Sequence, residues 1–198
     1  QQASKRLLSI DALRGFDMLL IAGAGAFLVL LKDKTGIPAI DWIAGQFYHP
    51  AWNGFSFYDF IFPLFLFIAG VSLTFSLNKG RKLGMSKPSL YKKTFSRMIL
   101  LILLGILYKN SPVPVFEPSQ IRYGSVLGRI GLATFVATLV YLNFDFYKRL
   151  GIALATLLLY YAALFLIPVP GYGAGDLSIE GNLVGWFDRT FMPGILKQ

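Results

Sequence analysis

The sequence predicts an all-α, polytopic transmembrane helical bundle, and three observations lead to it. Hydrophobic residues make up 55% of the 198 and charged residues 15%, with a mean hydropathy of +0.58, which is far more apolar than a water-soluble domain. The apolar residues stand in long runs and lack the ten-residue alternation of a barrel. A bilayer requires every backbone amide to be bonded internally, so helices are what remains. The net charge of +9 resides in the gaps between those runs and not on an aromatic-studded face, which suits a lipid bilayer as partner and excludes a nucleic-acid footprint. With no cysteine, disulfides, thiolate metal ligands and a cysteine nucleophile are excluded together.

A span takes roughly 20 mostly apolar residues, and about five segments approach that length: 10–31, 55–77, 95–108, 129–144 and 150–169. The first contains Arg14 and Asp17 yet stays apolar to Leu31, which reads as a retained span and not a cleaved leader. In the following segment 32–54, Ile40, Ile43, Ala44 and Phe47 fall at helical spacing beside Trp42 and Tyr48, the pattern of a short helix on the membrane interface. The second span holds Asp59 with Pro63 four residues later. The third is short and borrows length from 90–94, with Lys92, Lys93 and Arg97 snorkelling to the interface. The fourth opens near Arg129, and the fifth follows Lys148 and Arg149.

Orientation follows from charge. Segment 78–98 carries Lys79, Arg81, Lys82, Lys87, Lys92, Lys93 and Arg97 and no acid, so the positive-inside rule places it in the cytoplasm. Lys5 and Arg6 then share that side, the N-terminus is cytoplasmic, and 32–54, 109–127 and 170–198 face outward. A multi-pass integral membrane protein is expected, forming a single transmembrane domain over 1–198. Five spans leave the ends on opposite sides, and 192–198 reads as the approach to another helix. The chain is therefore expected to be a fragment of a longer protein.

Ionisable residues in spans cost about 2.5–3.5 kcal/mol each at a helix centre, so each calls for a reason. Arg14 can pair with Asp11 or Asp17 at i±3, setting the depth of the first span. Pro63 cannot donate to the carbonyl of Asp59, which leaves that carbonyl and the carboxylate in need of partners. Arg129 serves as counter-ion, anion-binding group or snorkelling residue. His49 is the chain's one histidine; it is either an interfacial side chain or a proton-transfer group, since imidazole titrates near neutrality. One histidine without cysteine is too little for a metal, and none is expected.

Three blocks, Ser9-Ile10-Asp11-Ala12-Leu13-Arg14-Gly15, His49-Pro50-Ala51-Trp52-Asn53-Gly54 and Asp59-Phe60-Ile61-Phe62-Pro63-Leu64-Phe65-Leu66-Phe67-Ile68-Ala69-Gly70, resemble the heparan-α-glucosaminide N-acetyltransferase family and its bacterial relatives. Leu127-Gly128-Arg129-Ile130-Gly131 and Gly181-Asn182-Leu183-Val184-Gly185-Trp186-Phe187-Asp188-Arg189 fit it too, so the likeness runs from Arg6 to Pro193. The resemblance implies a membrane acyltransferase that takes acetyl from acetyl-CoA and delivers it to the amino group of a glucosamine-type sugar or glycan outside the cytosol. Its functional histidine falls on His49. Members of the family have about twice as many spans, so the resemblance implies that this chain is the N-terminal half of a ten- or eleven-span fold whose C-terminal half is missing here. A first-span asparagine of the animal enzyme falls on Gly25, and the animal enzyme's N-terminal lumenal domain is not expected here, which moves the chain toward the bacterial branch and implies a bacterial inner membrane.

On these residues the expected roles are His49 as general base or transient acetyl carrier and Asp59 as the group that orients its ring. Trp52, Asn53, Arg129, Asn182 and Asp188 are expected on the substrate, and Arg14 and Asp17 on the acetyl-CoA. A homo-oligomer is compatible with all of this. The competing reading is a proton-coupled transporter or a structural membrane subunit, since outward Asp59 and Arg129 near a proline-broken helix also suit a substrate pathway.

Overall fold

The computed structural model describes residues 8–110 and 121–192. Lys5, Arg6 and 193–198, which carried sequence expectations, lie outside them. The described residues are helical and contain no strand. The chain divides into two compact units, Gln1–Phe75 and Ser76–Gln198.

The first unit begins with α1 (Leu8–Leu19), a single π turn (Leu20–Ala24) and α2 (Gly25–Leu31). Together they form one apolar stretch long enough to cross a membrane. The break is at Gly23, whose φ of 152° and ψ of −13° belong to glycine and strain any residue with a Cβ. A short α3 (Pro38–Gly45) follows, where the sequence predicts an interfacial helix. Pro38 at its start supplies a preset φ and lacks an N–H that would have gone unpaired. Ala44 is fully buried while Trp42 and Ile43 are exposed, so one face packs and the other is left for lipid. Gly25 allows that packing, because a Cβ there would stand 3.0 Å from the Phe47 ring.

Helix α4 (Phe57–Lys82) starts in the first unit and ends in the second. It runs through Pro63 and five residues beyond the predicted end at Leu77, because Lys79, Arg81 and Lys82 are good helix formers. It stops at Gly84, whose φ is 76°. There the Met85 N–H donates to the Gly80 carbonyl and the Gly84 N–H to that of Arg81, the paired bonds of a Schellman close.

In the second unit, α5 (Lys87–Lys109), α6 (Val126–Asn143), α7 (Phe146–Leu166) and α8 (Leu183–Phe191) follow. Among the described residues, four stretches are long and apolar enough to cross a membrane: 8–31, 57–82, 126–143 and 146–166. They match four of the five predicted spans. The third falls in α5, a continuous helix in which Lys92, Lys93 and Arg97 leave too short an apolar remainder. Its packing against α6 is tight. A Cβ at Gly131 would meet the Met98 carbonyl at 3.2 Å and its Cα at 3.3 Å, and one at Gly105 would land on Ser125. Small residues bring the two backbones together where lipid offers no hydrophobic drive. Phe95 packs edge-on against Phe135 at 5.5 Å, and Thr138 is fully buried with its hydroxyl bonded to the Thr134 carbonyl. Asn110 joins the chain on either side of 111–120: its amide donates to the Arg122 carbonyl and its oxygen accepts the Arg122 N–H.

Candidate active site

The loop between α3 and α4 holds the site, and it is closed at its neck. The Tyr58 N–H donates to the Gln46 carbonyl, so the chain from 46 to 58 leaves and returns at one point. This is the geometry of a compact Ω-loop. Gly54 makes the return, with a φ of 137°; a Cβ there would press on the Pro50 ring at 3.0 Å. Phe47 packs edge-on against Phe57 at 5.6 Å and tilted against Tyr58 at 6.2 Å. Tyr58 in turn meets the His49 ring edge-on at 4.9 Å.

His49 Nδ1 lies 2.5 Å from Asp59 Oδ1. The other carboxylate oxygen accepts from the Ser56 N–H at 2.9 Å and the Ser56 hydroxyl at 3.0 Å. Ser56 precedes the first residue of α4 and Asp59 is its third, so this is the returning half of a capping box, with aspartate in the place of glutamate. One carboxyl group therefore fixes the helix end with one oxygen and the imidazole with the other. A carboxylate only accepts, so Nδ1 is the donor in this bond. His49 is 63% exposed and Asp59 26%, which leaves the ring open to a substrate and the carboxylate partly sheltered. The predicted need of the Asp59 carboxylate for partners is met by His49 and Ser56.

Trp52 and Asn53 lie on the same loop and are exposed. Arg14 does not pair with either neighbouring acid as the spacing suggested: it donates to the Ser72 hydroxyl of α4 at 2.7 Å, a partner 58 residues away. Asp17 is fully buried, and neither of its oxygens has a hydrogen-bond partner among the described residues.

Arg129, Asn182 and Asp188 belong to the second unit. Arg129 is exposed in the first turn of α6. Asn182 is nearly buried and caps α8: its oxygen accepts the Gly185 N–H at 2.6 Å, and its amide donates to the carbonyls of Ser178 and Ile179. Both ends of the side-chain amide are thus bonded to backbone, and Asn182 organises the segment ahead of α8. In that segment the Ser178 N–H donates to Asp176 at 2.7 Å and holds its carboxyl below the usual carboxylate range. Arg189 closes the segment by donating to the Glu180 carbonyl. Asp188 lies in the last turns of α8.

Ser56 and Tyr58 escaped the sequence reading. The Ser-x-x-Asp spacing at a helix start was the signal for the first; nothing marked the second.

The described residues thus combine stretches long and apolar enough to cross a membrane with an accessible histidine–aspartate pair beside the start of one of them. The particular family is shown by sequence: residues 6–173 match the heparan-alpha-glucosaminide N-acetyltransferase catalytic family, and this chain belongs to it. Heparan-alpha-glucosaminide N-acetyltransferase of Mus musculus is 27% identical over 97% of this chain and 33% of its own length. That of Homo sapiens is 27% identical over 94% of this chain and 32% of its own length. The chain therefore spans about a third of the length of these curated relatives.

Proposed function

We propose that this chain carries the acyl-transfer site of a membrane N-acetyltransferase. Acetyl-CoA is the donor, and the amino group of a glucosamine-type sugar on the non-cytosolic face is the acceptor. The observation that carries the reading is the hydrogen bond between His49 and Asp59, in a chain whose family is named for that reaction. As the amine nitrogen attacks the thioester carbonyl, a C–N bond forms and the C–S bond breaks. His49 Nε2 takes the proton that the amine loses and returns it to the departing CoA thiolate. Asp59 keeps the proton on Nδ1 and stabilises the imidazolium between the two transfers. The Asn53 amide offers a donor to the oxyanion, and the exposed Trp52 ring offers a face on which a sugar can stack.

Arg14 is the residue we assign to the CoA phosphates, because a guanidinium beside a span binds phosphate in a bidentate manner that a solvated lysine cannot. The basic segment 78–98 puts the N-terminus on the cytoplasmic side, and in that orientation the His49 loop faces outward in a bacterial inner membrane. Replacing His49 tests the whole reading. The residue is on an exposed loop, so His49→Ala should retain its melting temperature and lose all measurable acetyl transfer to glucosamine. Retention of more than a few per cent of the activity would exclude His49 as base and as carrier.

A further inference from the structure

Asp59 holds the His49 imidazole at one atom, Nδ1, and one bond does not orient a ring. The ring can still swing about the line joining the two groups, because χ2 of histidine is a soft torsion. Each swing carries Nε2, on the far side of the ring, through an arc. The side chain is 63% exposed, so a packed core does not arrest it. A reacting group needs to be held within about 0.5 Å of its working position, which calls for a second contact.

Tyr58 supplies that contact. Its ring meets the His49 ring with centroids 4.9 Å apart and planes 64° apart, the arrangement of a favourable T-shaped pair. Tyr48, the tyrosine next to His49 in sequence, has the Lys32 ammonium 4.8 Å from its ring centroid instead. Tyr58 is itself fixed. It is the second residue of α4, its N–H closes the loop on the Gln46 carbonyl, and its ring tilts against Phe47 at 6.2 Å. Phe47 is braced in turn by Phe57 at 5.6 Å and by the backbone of α2 at Gly25, where a Cβ would stand 3.0 Å from the Phe47 ring. Two consecutive residues of one helix start therefore hold one imidazole, Asp59 by a hydrogen bond and Tyr58 by ring packing. We infer that Tyr58 is a positioning residue for acetyl transfer: its ring, acting through His49, sets the direction in which Nε2 meets the amine. The inference rests on the reading of His49 as the base, and it assigns the role to the flat ring and not to the hydroxyl.

This chain has one histidine, so the imidazole signals of a histidine-labelled sample belong to His49 and report its geometry apart from catalysis. The protein in lipid nanodiscs would be followed by nuclear magnetic resonance, and its acetyl transfer to glucosamine would be assayed in parallel. Wild type and Tyr58→Phe should show a rigid imidazole with Overhauser contacts to ring 58, and in Tyr58→Leu the imidazole should gain fast motion. Tyr58→Phe should stay within about twofold of the wild-type kcat, while Tyr58→Leu should lose about tenfold or more in kcat with KM for both substrates nearly unchanged. Tyr58→Met, which fills the space without a flat ring, gives the same comparison if the leucine variant does not fold. An imidazole equally rigid in the leucine and methionine variants, or a phenylalanine variant as impaired as the leucine one, would overturn the role of the ring. An imidazole set free while kcat holds would overturn the inference through its premise, His49 as the base, so the two failures are told apart.

Discussion

Replacing Asp59 with asparagine separates the two tasks that one carboxyl group performs. The carboxylate faces three donors: the His49 ring, the Ser56 N–H and the Ser56 hydroxyl. An amide has one oxygen and one NH₂ to offer them. If the oxygen stays on Ser56, the helix cap survives, and the stability cost is below the ~1 kcal/mol typical of losing a cap altogether. The NH₂ then faces His49, where a donor meets a donor unless the ring moves its proton to Nε2. That tautomer has no lone pair aimed at the substrate, and general-base catalysis, worth about 10²–10⁴ in rate, disappears. At 1.36 kcal/mol per tenfold change, the barrier rises by roughly 3–5 kcal/mol. The assay is acetyl transfer to glucosamine at saturating acetyl-CoA, run beside thermal unfolding. Asp59→Asn should lose at least about a hundredfold in kcat while melting close to the wild type. An asparagine variant with more than a tenth of wild-type kcat would refute the role of Asp59 in holding the tautomer. A variant that is inactive because it no longer folds would show that the cap, and not the ring, depends on the charge.

Two further predictions concern the membrane and the donor. Cysteine introduced at Lys34 should react with an impermeant thiol reagent added to intact cells and cysteine at Ser86 should not; labelling of position 86 from outside would reverse the orientation. Arg14→Ala should raise the KM for acetyl-CoA by about tenfold, the loss of roughly 1.4 kcal/mol of charge-assisted bonding. Joint neutralisation of Lys82, Lys87 and Lys92 should change it less than about twofold, because solvated charges near the surface are screened at physiological salt. The opposite ranking would move the phosphates to the basic segment.

What could be read from the sequence followed the strength of the local signal. Four spans were legible because long apolar runs have one physical solution in a bilayer. The break within the first was not, since Gly23, Ala24 and Gly25 are as compatible with a continuous apolar helix as with a π turn. His49 and Asp59 could be paired because they are ten residues apart, while the role of Ser56 needed its helix start to be located first. Arg14 shows the limit of helical spacing: the acids at i±3 were the obvious partners, and the hydroxyl that took the guanidinium is on another helix. Asn182 shows a second limit, because an asparagine three residues before a glycine can be a ligand contact or a cap, and the capping bond is visible only in the structure.

The closed neck of the His49 loop bears on how this site is inherited. Because the Gln46–Tyr58 backbone bond shuts the loop and Asp59 is the next residue along, the pair is assembled by short-range chain closure, whose entropic cost is small. Its geometry does not wait on distant helices finding their register. Such a segment carries its own pairing geometry, provided a helix start remains to receive Ser56 and Asp59. Divergence among relatives should then gather in the helices that meet lipid and ligand, and a grafted 46–59 segment on an unrelated span end should already bring its histidine and aspartate together.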